Sequence, residues 1–181
     1  EDRAVLLSFM HDASTMPELY PMEIAIIRHC FERNIKVFAL TFLTSGAPII
    51  DYAFNSVKEE YPDIKSGVDY CNFGYQPQAM AVVLGMGDNI ANTVTTDAEG
   101  RKLASLPIMK GITNYNEMNL AIEFSGSTPG TYWIYYARPK FGVNVALGVT
   151  AVMAADEYPY LQSGQLIGML TGLKGAAEYE K

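Results

Sequence analysis

Residues 125–130, SGSTPG, combine hydroxyl side chains, glycine and proline in a way that is typical of an anion-binding loop. They follow an apolar run, and a hydroxyl residue just before proline predicts the start of a helix. Backbone N–H groups at a helix start attract phosphate or carboxylate. We therefore predict an anion site at Ser125, Gly126, Ser127 and Thr128, although an ordinary helix cap would use the same residues. Neither a Walker loop nor a G-x-G-x-x-G pattern is present.

Further polar residues follow other predicted strands. His11, Asp12 and Ser14 have the residue types of a catalytic triad. Side chains of neighbouring residues point in different directions, and triad partners usually come from separate loops. We therefore interpret His11, Asp12, Ser45 and Asp156 as candidates for ligand contact at strand ends, and we leave open whether the chain is an enzyme.

Metal binding has weaker support in the sequence. Asp12, Asp156 and Glu157 could converge on a hard cation such as Mg²⁺. Acidic residues in loops more commonly face solvent or cap the next helix, so we predict no metal site. The sequence does not indicate any cofactor.

The elements that would position these residues alternate between two patterns. Continuous apolar runs predict five strands, at 4–10, 35–43, 68–74, 119–125 and 143–152. Amphipathic segments or proline starts predict helices at 21–33, 48–60 and 77–86, an aromatic helix around 132–136 and a last helix from about 160. The segment 77–86 would also suit a strand.

The predicted fold class is α/β. Strands that are apolar throughout are typical of a parallel sheet covered on both faces. We predict a doubly wound, mainly parallel, five-stranded sheet in a three-layer Rossmann-like or flavodoxin-like sandwich. The whole chain, 1–181, is predicted to be a single domain, which its length and unbroken composition favour.

Three glycines near the end are spaced by four residues. Gly164, Gly168 and Gly172 would form a smooth strip on one face of the predicted last helix. Glycine disfavours helix by about 1 kcal/mol relative to alanine, so close packing against the strip should offset this. We predict a packing surface there, either within the chain or between copies. The aromatic residues at 132–136 favour the core, with an interface as the alternative.

Composition excludes some classes of partner and leaves others open. The net charge is −7, and the 13 basic residues are scattered, which argues against nucleic acid. Cys30 and Cys71 have no metal-ligand spacing. We expect buried free thiols, with a disulfide as the alternative in an oxidising compartment. No apolar run is long enough to span a membrane.

Several segments resemble a family of uncharacterised prokaryotic membrane-anchored proteins. The similar stretches are RHCF at 28–31, LGMG at 84–87, LPIMKG at 106–111, YPYLQSGQL at 158–166 and GLKGAAEYE at 172–180. The resemblance implies a Rossmann-like domain tethered by hydrophobic segments outside residues 1–181, on an undetermined side of the membrane. It implies no activity. The start at Glu1, which is not a methionine, and the end at Lys181 agree with a segment of a longer chain.

These observations predict a ligand-binding or partner-binding domain that self-associates as a homo-oligomer. The alternative is an enzyme, or a nucleotide-binding or phosphate-binding domain, that acts at the carboxyl ends of the strands.

Overall fold

One sheet of six strands organises the computed structural model, which describes residues 4–127, 130 and 132–181. The strands are β1 (Ala4–Met10), β2 (Lys36–Thr41), β3 (Tyr70–Tyr75), β4 (Met118–Ser125), β5 (Val145–Val149) and β6 (Gly168–Thr171). Their order across the sheet is β3-β2-β1-β4-β5-β6, and each of the five pairings is parallel. This is the order of the Rossmann arrangement, not of the flavodoxin-like arrangement. The predicted doubly wound α/β class is therefore confirmed.

The helices are connected to the strands in the alternation that the sequence predicts. They are α1 (Met16–Glu32), α2 (Ala47–Lys58), α3 (Ala79–Asp88), α4 (Ile90–Thr93), α5 (Arg138–Phe141), α6 (Ala154–Gln162) and α7 (Gly172–Tyr179). A π-helical turn, Trp133–Ala137, leads into α5, so the aromatic run is helical as expected. Segment 77–86 is also confirmed as helical, because α3 covers most of it.

The core has two halves, one on each face of the sheet. On β1, Val5, Leu7 and Phe9 contact the layer formed by α1, α2 and α7. Ala4 and Leu6 point to the other face, where α3 and the π-helical turn pack. Alternate side chains of one strand are thus buried on opposite faces, as an apolar run in a parallel sheet requires.

The predicted glycine strip does not form, because its three glycines lie in three different elements. Gly164 has a φ of +75° and follows the end of α6, where its N–H donates to Leu161 O. Gly168 begins β6, and Gly172, with a φ of +54°, begins α7. Left-handed backbone ends a helix instead of continuing it, so one long helix was a wrong prediction and the sheet has six strands instead of five.

Helix α1 begins one turn before the predicted start. Pro17 occupies its first turn, and Pro21 lies inside it. The error does not move the helix face, because Met22, Ile26 and Ile27 are buried as the periodicity predicts. Among the described residues, no helix is both long enough and apolar enough to cross a membrane.

Candidate functional site

Strands β1 and β4 are neighbours in the middle of the sheet, and the chain leaves them in opposite directions. Met10 at the end of β1 is paired with Ser125 at the end of β4. This is the topological switch point of the Rossmann order, where ligands of doubly wound sheets bind outside the carboxyl ends of the strands. The loop after β1 and the loop after β4 therefore define the candidate site.

The predicted anion loop starts in contact with the β1 loop. Ser125 is fully buried, and its Oγ donates to the Met10 carbonyl at 3.4 Å. A Cβ on Gly126 would lie 2.6 Å from Thr15, so only glycine fits between the two loops. Ser127 is exposed, and Thr128 lies outside the described residues. Anion binding by this loop stays a prediction.

A buried carboxyl lies beneath the same loop. Glu123 on β4 is 1% exposed, accepts a hydrogen bond from Ser8 Oγ at 3.3 Å and accepts another from the N–H of Gly130. The indole N–H of Trp133 is close enough to favour the ionised carboxyl but lacks hydrogen-bond geometry. Burial dominates these contacts and raises the pKa of Glu123 to about 7. At neutral pH this carboxyl is poised to hold or release a proton.

A second buried carboxyl, that of Glu157 on α6, acts on Glu123 through its charge. Glu157 is 5% exposed, and its Oε2 has no hydrogen-bond partner. Burial, followed by the charge of Asp156, raises its pKa, and its charge in turn raises the pKa of Glu123. Asp156 itself is exposed. The sequence predicts a site role for Asp156 but none for Glu123. The signal that could have identified Glu123 is a single acidic residue inside an otherwise apolar strand.

His11 is not available to a ligand, because it is buried against Glu23 of α1. Its Nε2 is hydrogen-bonded to Glu23 Oε1, and both side chains are inaccessible to solvent. Burial lowers the pKa of His11, but the bond and charge of Glu23 outweigh burial and raise it above 6.5. Burial raises the pKa of Glu23 as well, so both shifts favour retention of a proton by the pair. The pair anchors the β1 loop to α1.

Asp12 and Ser14 are exposed and contact each other instead of His11. Asp12 Oδ1 accepts from Ser14 N at 2.8 Å and from Ser14 Oγ at 2.6 Å. These bonds lower the pKa of Asp12, which is therefore negatively charged at neutral pH. No His–Ser contact forms, so the described residues contain no triad at this loop.

A depression of about 730 Å³ opens between the β1 loop and the start of α2. Asp12, Ser14 and Ser45 provide its polar lining, and Met16, Ile49 and Tyr52 are among its apolar lining residues. The structure thus brings together two of the strand-end candidates, Asp12 and Ser45. Tyr52 is 54% exposed and contacts Tyr20, with ring centroids 5.1 Å apart.

The charge at this edge of the sheet is negative. The segments that follow the first five strands, 11–15, 42–46, 76–78, 126–130 and 150–153, contain no Lys or Arg. Asp12 contributes an exposed carboxylate beside the depression. In the described part of the chain, no group of three or more His, Cys, Asp or Glu side chains could hold a metal ion.

Both cysteines are buried free thiols, as expected from the sequence. Burial raises the pKa of each to about 12, which leaves almost no thiolate at neutral pH. Cys30 lies on α1 and Cys71 on β3, so neither lies in the candidate site.

We compared the chain with models of protein families, with curated proteins and with solved structures. None of the three comparisons found a match.

Proposed function

We propose that this chain is a binding domain that takes a small cationic or uncharged ligand at the carboxyl edge of its sheet. The depression between the β1 loop and α2 carries the proposal, because it lies beside the switch point and combines Asp12, Ser14 and Ser45 with an apolar wall. Ligand pockets commonly combine a mostly apolar lining with a few convergent polar groups.

The charges favour a ligand that donates hydrogen bonds. Asp12 is exposed and ionised, and the first five strand-end segments contain no basic residue that would neutralise it. An ammonium group could pair with Asp12, and the half-exposed ring of Tyr52 could attract it by a cation–π contact. A phosphate would have only backbone N–H groups and hydroxyls as partners.

A thermal-shift screen tests this assignment. The probes are choline, putrescine and arginine methyl ester as cations, glucose and adenosine as neutral molecules, and inorganic phosphate and AMP as anions. Binding to the native state raises the melting temperature by mass action. We expect a shift with at least one cation or neutral probe and its loss in Asp12→Asn or Tyr52→Ala. Asp63→Asn, an exposed carboxylate after α2, is the control and should keep the shift.

The alternative is an enzyme or a phosphate-binding domain at the same edge. The near-neutral pKa of Glu123, directly below the loop that starts at Ser125, is the observation that favours it. A shift with phosphate or AMP that Ser127→Ala or Thr128→Ala abolishes would support this alternative. A shift with anions alone would contradict the cationic or uncharged assignment.

The proposed setting is a membrane tether through segments outside residues 1–181. The support is the resemblance of segments such as 158–166 and 172–180 to membrane-anchored prokaryotic proteins. Fractionation of cells that express the full-length gene product tests it. Recovery with the membranes after a high-salt wash is expected, and recovery in the supernatant would contradict the tether.

A further inference from the structure

An apolar groove lies at the end of the sheet where the strands begin, opposite the edge that carries the candidate site. Its volume is about 460 Å³. Val5 of β1, Leu120 of β4 and Gly168 of β6 line it from the sheet, and Ile26 and Cys30 line it from α1. Ligand pockets commonly have volumes of about 300–1,000 Å³ and a mainly apolar lining. The groove is therefore large enough to hold a small molecule.

Part of the groove is open to solvent. Ile167, which also lines it, is 53% exposed, and Ile35 is partly exposed. A Cβ on Gly168 would meet nothing within 4 Å. Since side chains alternate along a strand and Leu170 packs against the layer that contains α1, position 168 faces that layer too. The absence of a side chain at Gly168 thus leaves space inside the groove.

The groove opens beside a polar surface. His29 and Tyr179 line both the groove and this surface, and His29 Nδ1 and Tyr179 Oη are hydrogen-bonded at 2.5 Å. Arg28 and Arg33 line the polar surface. An apolar cavity and a surface with cations therefore share one boundary.

The guanidinium of Arg33 is available to an anion. The two carboxylates at this surface already accept hydrogen bonds, Glu180 from Arg28 at 3.3 Å and Glu32 from Tyr61 at 3.0 Å. Among residues 4–127, 130 and 132–181, no carboxylate lies within 4 Å of Arg33. Arg33 ends α1, and its full positive charge exceeds the negative half charge of a helix end.

We infer that the groove binds a free medium-chain fatty acid, with its alkyl chain in the apolar part and its carboxylate beside Arg33. A guanidinium can bind a carboxylate through two parallel hydrogen bonds. The alkyl chain would cover the exposed side chain of Ile167 and fill the space at Gly168, which removes apolar surface from water. A cationic amphiphile would instead place its charge against Arg33.

This second site is independent of the ligand site proposed at the carboxyl edge. The two sites lie at opposite ends of the strands and share no lining residue. Loss of either proposal would leave the other intact.

Isothermal titration calorimetry with octanoate, decanoate and dodecanoate tests the apolar part. Each probe is used below its critical micelle concentration. Burial of one methylene strengthens binding about fourfold, so the dissociation constant should fall about 15-fold for every two carbons added. Equal affinity along the series, or no binding of dodecanoate, would overturn the inference.

A larger side chain at position 168 should block the groove. Gly168→Leu places a branched side chain in the open space, so the affinity for dodecanoate should fall at least about tenfold. Thr95→Leu, at an exposed position outside the groove, is the matched control and should bind normally. Unchanged binding by a folded Gly168→Leu chain would show that the fatty acid binds elsewhere.

The role of Arg33 is tested by comparing decanoate with 1-decanol, which has the same chain length and no charge. Arg33→Gln should weaken decanoate binding about two- to fivefold, as for an exposed ion pair, and leave 1-decanol unchanged. Lys102→Gln, at an exposed cation outside the groove, is the control. Equal effects of Arg33→Gln on both probes would overturn the carboxylate assignment, and so would equal affinity for dodecyltrimethylammonium and dodecanoate.

Methyl NMR of the unmodified chain provides a measurement that needs no variant. Dodecanoate should shift the methyl signals of Ile26, Ile122 and Ile167, which line the groove, and leave Ile49 at the other depression unchanged. Shifts confined to Ile49 would overturn the inference. A ligand-free dimer that Gly168→Leu dissociates would overturn it as well, because a second copy would then occupy the groove.

Discussion

The backbone N–H of Gly130 donates to Oε1 of Glu123, a buried carboxyl seven residues earlier in the chain. The contact ties the loop after β4 to the interior of that strand, below the topological switch point. A titratable group therefore lies directly under the loop that the sequence singles out for ligand binding.

Replacing Glu123 should change the pH dependence of stability. The native pKa of about 7 is raised from 4.5, so the folded chain keeps a proton that the unfolded chain releases. The contribution of Glu123 to the free energy of unfolding is therefore greatest below pH 4.5, and it falls as the pH rises to about 7. One pKa unit corresponds to about 1.4 kcal/mol, so the fall is about 3 kcal/mol.

Urea denaturation at a series of pH values measures this contribution. Glu123→Gln keeps an acceptor for Gly130 and should remove most of the decline over that interval. Glu59→Gln, at an exposed carboxyl, is the control and should preserve it. Identical pH profiles for the unmodified chain and Glu123→Gln would show that the carboxyl does not titrate as the structure indicates.

The buried pair of His11 and Glu23 should be strongly coupled. Removing one partner leaves the other buried without compensation, so Glu23→Ala should destabilise the chain by about 3–5 kcal/mol. The double variant His11→Ala/Glu23→Ala should lose much less than the sum of the two single variants. Denaturation of all four proteins gives the coupling energy, and additive losses would contradict a direct interaction.

The stabilising interaction between His11 and Glu23 should weaken as the pH rises. Because the folded pKa of His11 is raised, its contribution to stability is complete below pH 6.5 and is lost as pH rises through the folded value. A double-mutant cycle at pH 6 and at pH 9 should therefore give a smaller coupling energy at pH 9. A larger value at pH 9 would reverse the sign and reject this assignment.

Cys30 and Cys71 should be chemically silent in the native chain. Both are buried, and burial raises the pKa of each thiol to about 12. A thiol reagent such as 5,5′-dithiobis(2-nitrobenzoic acid) should react slowly in buffer and rapidly with two thiols in denaturant. Rapid native labelling of either cysteine would show that its segment opens. Labelling of fewer than two thiols in denaturant without reductant would indicate a disulfide.

Two glycine substitutions should differ sharply in their effect on stability. A Cβ on Gly87 would overlap the ring of Phe141, so Gly87→Ala should destabilise by about 1–3 kcal/mol through overpacking. Gly168 has open space, so Gly168→Ala should change stability by less than about 0.5 kcal/mol. Thermal or urea unfolding compares them, and a large loss at Gly168 would mean that its side-chain position is filled.

The strand and helix predictions succeeded where one pattern extended over a whole element. The apolar run of β1 and the periodicity of α1 each persist long enough to identify the element. The predictions failed at residues 160–174, where α6, β6 and α7 are short and contiguous. Leu166, Met169, Leu170 and Leu173 matched a helical spacing by coincidence, because side chains from a loop, a strand and a helix fell at those intervals.

The candidate site was predictable in position but not in composition. The rule that ligands bind at strand ends selected the loops at His11, Ser45 and Ser125 in advance. Glu23 and Glu157 lie in helices; the sequence marked Glu157 only as a possible metal ligand, and nothing local marks Glu23 as the partner of His11. Their burial depends on how each helix packs on the sheet.

The sequence by itself determined the class of fold, because apolar strands and amphipathic segments are properties of local stretches that any packing must satisfy. Only the tertiary structure decided which polar groups became buried and where an apolar groove remained open. His11 meets Glu23 across 12 residues, and Ser8 meets Glu123 across 115. Such contacts follow from the order in which strands assemble, and that order sets the burial that shifts a pKa and the neighbours that line the groove.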